Sequence, residues 1–315
     1  MVAERILKTH RDLKVTARKS ELYFSSNSFP DVTKSILTEA YYHCQRIATS
    51  HYENFPVGSV LIPRKLRQHF FALYAFMRTA DDFADLPHRS SEERLKLLSE
   101  WREKLHSIYR NELPSDPIFL ALQDTVRTFD LAIQPFDLLL DAFEFDARGN
   151  VRFETYEDLH WYTKRSAEPV GQLVLALFGY QDAGRLGWSN DICTALQLIN
   201  FLQDAKDDLV NQRYYFPVED CLKFEIERVE DIPVSTYATE LVLFECDRIE
   251  KMLTSGAVLS ESVNGRLRLE LRAVLSGARV MLGKIRAMNG NTINARPKLS
   301  SFEKMRMLLS SFKKF

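Results

Sequence analysis

Two stretches of the chain carry aspartates at a spacing suited to holding a divalent cation. In Tyr74-Ala75-Phe76-Met77-Arg78-Thr79-Ala80-Asp81-Asp82-Phe83-Ala84-Asp85, four polar residues recur at i, i+4, i+7 and i+11: Tyr74, Arg78, Asp81 and Asp85. At 100° per residue they form one stripe of a helix. Phe70, Leu73, Met77, Ala80 and Ala84 flank the stripe, while Asp82 lies off it and takes a secondary place. A helix this apolar belongs in the interior of a larger protein. Two carboxylates a turn apart on it are costly unless a cation compensates them.

The same pattern returns far downstream. Gln197, Asn200, Asp204 and Asp208 fall at i, i+3, i+7 and i+11, with Asp207 at the edge and Leu196, Leu198, Ile199, Leu202 and Leu209 around the rest. Facing aspartates repel unless cations lie between them. Oxygen-only ligands select a hard ion, and Mg²⁺ takes a few carboxylates, several waters and substrate phosphates. The pair of stripes therefore implies a Mg²⁺-diphosphate cavity between two helices. Arg78, and Arg213 just past the second stripe, are placed to neutralise phosphate charge.

Such a cavity suits ionisation of an allylic diphosphate. The cation draws charge onto the leaving diphosphate. The carbocation left behind needs a dry pocket lined by aromatic faces. Phe55, Phe70, Phe71, Tyr74 and Phe201 are available, although ordinary core packing is the plainer role for most of them.

The elements that must position these residues are helical. Asp31 can cap a helix running to about Ser50, Pro63 opens the first aspartate helix, and Pro87 closes it. Ser91 to Tyr109 is amphipathic. Further helices are expected at about 116–131, 135–146, 155–164, 167–180 and 184–213, then near 219–228, 233–254 and 256–289. Alternating β-branched residues are scarce apart from Asn150-Val151-Arg152-Phe153 after Gly149. The expected fold is all-α, one helical bundle over 31–290 with a central cavity, and no repeat of fixed period is present. Residues 1–30 read as a basic, flexible extension. Residues 291–315 read as a basic amphipathic tail, for which packing on the bundle and contact with an anionic membrane stand level.

With 315 residues, 45% hydrophobic content and a formal net charge of −1, the chain can bury a large core and gives no electrostatic case for nucleic acid. Its four cysteines, Cys44, Cys193, Cys221 and Cys246, have neither metal-ligand nor disulfide-framework spacing. No apolar run approaches the ~20 residues of a membrane-spanning helix. A cytoplasmic location, with peripheral membrane contact open, is the expectation.

The motifs resemble those of the squalene/phytoene synthases. Arg78-Thr79-Ala80-Asp81-Asp82-Phe83-Ala84-Asp85 is similar to the family's first aspartate-rich motif. Asn200 to Asp208, continuing to Arg213-Tyr214-Tyr215-Phe216-Pro217, is similar to the second. The resemblance runs from about Tyr41 to Leu308 and implies an all-α isoprenoid-synthase fold. By position it implies that Asp81, Asp85, Asp204 and Asp208 bind Mg²⁺, with Asn200 assisting. Arg78, Arg213 and Tyr215 would contact diphosphate, Gln197 and Phe55 would line the substrate site, and Tyr74 would sit near the reacting carbons. Gly171, in Pro169-Val170-Gly171, would let substrate approach closely.

His51-Tyr52-Glu53-Asn54-Phe55-Pro56-Val57 together with the first motif most resembles the bacterial hopanoid branch. That implies conversion of presqualene diphosphate to hydroxysqualene, beside neighbouring enzymes of squalene and hopanoid synthesis. Two departures stand out. Lys206 lies inside the second motif but points away from it, and Asn211-Gln212-Arg213 stands where a glycine often precedes the arginine.

Three other readings compete. Head-to-head condensation of two prenyl diphosphates, farnesyl or geranylgeranyl, would use the same aspartates. A non-catalytic binding or assembly factor should have lost carboxylates that are intact here. Glu103-x-x-His106 and Glu157-x-x-His160 match a di-iron spacing, but their helical phase puts them opposite the apolar faces.

Overall fold

A computed structural model describes residues 29–50, 62–149 and 151–298. The chain runs through α1 (Phe29–Ser50), α2 (Arg64–Ala84), α3 (Ser91–Tyr109), α4 (Pro117–Phe129), α5 (Gln134–Arg148), α6 (Tyr156–Ser166) and α7 (Glu168–Leu177). It continues through α8 (Ala183–Val210), α9 (Val218–Lys223), a 3-10 turn (Val229–Val234), α10 (Ala238–Gly256), α11 (Val258–Ser262) and α12 (Gly265–Ala287). The fold is all-α, and no strand occurs among the described residues. Helix starts follow local chemistry. Ser90 and Glu93 form a reciprocal capping box at α3, Thr155 and Asp158 do the same at α6, and Asp182 caps α8 through the Arg185 amide.

Two apolar clusters form the interior. The first joins α1 to α5 around the fully buried Phe76, whose ring meets Trp101, Phe119 and Phe136. The second joins α6, α8, α10 and α12 through residues such as Leu198, Ile199, Leu202, Cys246, Ile249 and Leu282. Helix α7 belongs to both: Leu173 and Leu177 face the first cluster and Leu175 the second. Thus α2 lies in one half, α8 in the other, and α7 packs against each of them. The two aspartate helices are held apart by this arrangement rather than packed along their lengths.

Two expected helices differ from the sequence expectation. The stretch 256–289 is two helices, not one. Val263 is extended and fully buried, and Arg268 donates both to the Val263 carbonyl and to Asn264 Oδ1. These contacts make the corner a better arrangement than a continuous helix. The segment near 219–228 keeps only the six residues of α9 before the chain turns at Glu225, φ 58°.

Candidate active site

Helix α2 buries Ala72, Leu73, Ala75, Phe76, Ala80 and Ala84, which leaves its polar stripe facing away from the first core. Arg78 reaches along that stripe: Nη1 lies 3.3 Å from Asp81 Oδ2 and Nη2 lies 2.5 Å from Asp82 Oδ1. Asp82, secondary by phase, therefore serves as an anchor for Arg78. Burial, reinforced by the neighbouring Asp85 charge, pushes the Asp81 carboxyl up to about 6, and Arg78 and Arg213 counter this only in part. Tyr74 is half-buried, and its phenol is raised by burial. Asp85 is the residue that ends α2, and its amide still donates to the Asp81 carbonyl.

On α8, Leu198, Ile199, Phe201, Leu202, Ala205 and Leu209 are buried, while Gln197, Asp204 and Asp208 are half-buried and Asn200 is exposed. Lys206 is exposed, as its phase implies. Burial and the adjacent Asp204 push the Asp208 carboxyl up to about 6. The helix ends in a paired-hydrogen-bond cap: the Arg213 amide donates to the Asp208 carbonyl at 2.9 Å and the Gln212 amide to Leu209 at 3.2 Å. Gln212 takes the left-handed conformation this cap requires, φ 57°. The position before the arginine is thus filled by a glutamine in the left-handed conformation that glycine adopts most readily.

The cap turns Arg213 back toward the first helix. Its Nη2 donates to Asp85 Oδ1 at 2.8 Å, between residues 128 apart in sequence. The loop that carries it is pinned from below. The Tyr214 amide donates to the Val151 carbonyl at 2.8 Å, and Arg152 and Tyr214 form an isolated parallel bridge. The extended stretch after Gly149 therefore fixes the Arg213–Tyr215 backbone. Tyr215 stacks on Phe201 with centroids 3.8 Å apart and planes at 4°.

Two residues that the stripes did not reveal join this corner. Asp146, near the end of α5, accepts from the Tyr162 hydroxyl at 3.1 and 2.9 Å through its two oxygens. Burial pushes the Asp146 carboxyl up to about 7, with Asp85 and Asp81 adding to the rise and Arg213 opposing it. It therefore shares the field of the α2 aspartates. Tyr162 is buried, 6.2 Å from the Tyr215 ring. A lone aspartate in Phe145-Asp146-Ala147 carries no periodic signal, and only tertiary packing brings it here.

Gly171 lies where α7 meets α8. A Cβ there would overlap Ser189 Oγ and come within 2.6 Å of Cys193 Sγ. Its bare face serves close helix packing. Phe55 and the rest of 51–57 lie outside the described residues, as do 299–315. The di-iron spacing is dispersed. Glu103 pairs with Arg110 at 2.6 Å, His106 with Asp137 at 2.9 Å, and Glu157 is exposed.

The family model for squalene/phytoene synthase matches residues 48–303, which span both aspartate stripes and Arg213. The chain belongs to the squalene/phytoene synthase family. Among its relatives, a phytoene synthase from Arthrospira platensis is 28% identical over 88% of this chain and 93% of its own length. A hydroxysqualene synthase from Zymomonas mobilis is 39% identical over 52% of this chain, a match spanning 54% of that protein. The crystal structure of squalene synthase HpnC from Alicyclobacillus acidocaldarius superposes with a TM-score of 0.75 at 35% identity, covering 81% of this chain and 96% of that one. As a squalene/phytoene synthase-type enzyme it processes prenyl diphosphates.

The donor set of this synthase fits Mg²⁺. Among the described residues no three carboxylate, histidine or cysteine side chains converge on one ion-sized point. The carboxylates are turned onto arginines instead: Asp81 and Asp82 onto Arg78, Asp85 onto Arg213, Asp204 onto Arg296. Sites of one or two carboxylates completed by waters and phosphate oxygens are the usual Mg²⁺ arrangement. Asp204 Oδ1, buried and without a hydrogen bond, is a ligand atom of that kind. No helix among the described residues is long and apolar enough to cross a membrane.

Proposed function

We propose that this enzyme converts presqualene diphosphate to hydroxysqualene, within hopanoid and squalene biosynthesis. The observation that carries the reading is the 39% identity to the Zymomonas hydroxysqualene synthase over 52% of this chain, against 34% to a presqualene diphosphate synthase over 53% of it and 28% to the Arthrospira phytoene synthase over 88%. The 35% identity to the squalene synthase HpnC over most of both chains supports the squalene side of the family over the phytoene side. The arginine-bridged acidic corner is suited to a diphosphate leaving group.

Asp81, Asp85, Asn200, Asp204 and Asp208 would hold Mg²⁺, which supplies the positive charge that favours departure of the diphosphate. Arg78 and Arg213 bind the diphosphate oxygens, and Tyr215 orients the diphosphate end of the substrate. The carbon–oxygen bond breaks with its electron pair going to the diphosphate. The cyclopropylcarbinyl cation then rearranges beside Tyr74 and Phe201, with Gln197 on the same face of α8 as the aspartates, and ring faces stabilise the positive charge. A water oxygen adds to the cation and loses a proton, giving the alcohol. One carbon–oxygen bond replaces another, so no hydride donor enters.

The test is incubation with Mg²⁺ and, separately, presqualene, farnesyl and geranylgeranyl diphosphates, followed by product analysis. Hydroxysqualene from presqualene diphosphate alone is the expected result. Turnover of only the linear diphosphates would overturn the reading in favour of head-to-head condensation, to which the near full-length match with a phytoene synthase points.

A further inference from the structure

After α12 the chain doubles back as a strap, residues 291–298, across the second aspartate helix. The strap is tied down at several points. The turn that starts it passes through Gly290, φ 75°, where a Cβ would come within 2.5 Å of the Thr239 carbonyl oxygen, so only glycine fits. Ile293 is buried in the second core, and Thr292 is fully buried. Gln203, beside Asp204 on α8, donates to the Pro297 carbonyl at 3.0 Å, and Lys284 donates to the Lys298 carbonyl. The backbone is therefore fixed while Arg296, on its outer side, is exposed.

Arg296 Nε lies 2.5 Å from Asp204 Oδ1. That oxygen nevertheless has no hydrogen bond of proper geometry. The contact is one of charge, without the directional fork by which arginine grips a carboxylate. A cation held this way sits where a divalent ion would have to bind, on a helix whose Asp208 lies one turn further on.

We propose that Arg296 is an intramolecular counter-ion that competes with a divalent cation for Asp204, so that the 291–298 strap sets how tightly the second aspartate helix takes up metal. The proposal rests on Asp204 being a metal ligand. It differs from the Arg213–Asp85 contact, which ties the two helices to each other. Arg296 neutralises one helix alone, from a segment that no aspartate motif predicts.

The experiment is Mn²⁺ binding to the full-length protein without diphosphate, followed by the electron paramagnetic resonance signal of free Mn²⁺, for wild type, R296Q, R296K and D204N. Removing an exposed competing charge should tighten Mn²⁺ binding by R296Q about two- to fivefold, the scale of an exposed ion pair. R296K, which keeps the charge, should stay near wild type. D204N should lose a Mn²⁺ site. If D204N loses the site but R296Q binds no more tightly than wild type, the competition is refuted and the metal assignment stands. If D204N keeps the full Mn²⁺ stoichiometry, the metal assignment falls and the competition with it.

Discussion

Two of the acid–arginine clusters among the described residues are built to opposite ends. In one, Asp220 of α9 is fully buried, with Arg248 at 2.8 Å and Lys223 at 2.6 Å, while Arg248 also reaches Glu245 at 2.8 Å and stacks 4.0 Å over the Tyr156 ring. Burial alone would raise the Asp220 carboxyl, but the hydrogen bonds from Arg248 and Lys223 outweigh it and hold the group below its usual range. Burial raises the Glu245 carboxyl here too, but two cations face two carboxylates, so charge is balanced within the protein and the cluster ties α9, α10 and α6 together. In the other, between α2 and α8, Arg78, Arg213 and Arg296 face more carboxylates than they can neutralise. Asp81 and Asp208 are each pushed up to about 6 and Asp146 to about 7. A structural cluster closes on itself; this corner keeps an excess of carboxylates, as a cation-binding site should.

The difference can be broken from the acidic side first. Asp81→Asn and Asp204→Asn should each lower Mg²⁺-dependent diphosphate release at least about a hundredfold, the scale of removing one transition-state charge partner. The melting temperature should hold or rise, because the change removes one of several mutually repelling carboxylates. Diphosphate release and circular-dichroism melting check the two halves separately. Wild-type turnover in either variant would refute the metal role.

The balanced cluster should respond in reverse. Arg248→Met leaves Asp220, wholly buried, with Lys223 as its only ion-pair partner among the described residues. Breaking a buried pair from one side costs about 3–5 kcal/mol, which urea unfolding would read as a lower midpoint. Diphosphate release per folded molecule should stay at the wild-type level. A stability change under about 1 kcal/mol would mean that the cluster is no more structural than a surface pair.

How much of this was legible beforehand follows from the physics of each feature. The α2 and α8 stripes could be read because a helix repeats its face every three to four residues, and both helices bury the remaining faces. Arg213 was expected to face phosphate, whereas its joining of the two helices through Asp85 depends on the cap that ends α8 and carries no periodic signal. Asp146 and Tyr162 stayed hidden because each sits among other polar residues of its helix without a repeating stripe, and their meeting depends on how α5 packs on α6. Arg296 was one cation among many in a basic tail. The break at Val263 was hidden for a different reason. Asn264-Gly265 is a turn signal there, with Gly265 at φ 61°, but the apolar periodicity on either side of it reads as one continuous helix.

The smallest expected effect concerns the end of α8, where the two aspartate helices are tied together. Gln212 occupies a left-handed conformation, φ 57°, which costs a residue with a Cβ about 1–2 kcal/mol. Gln212→Gly removes that strain but adds about 0.5–1 kcal/mol of unfolded-state backbone freedom. The net expectation is a gain of about 0.5–1 kcal/mol in unfolding free energy. Both cap hydrogen bonds come from backbone amides and survive the change, so Arg213 stays aimed at Asp85 and diphosphate release is kept. A loss of stability would show that the Gln212 side chain contributes something beyond the cap. A loss of turnover with stability intact would be more telling. It would mean that this residue's restricted backbone holds Arg213 in register, and that the acidic corner depends on rigidity as well as on uncompensated charge.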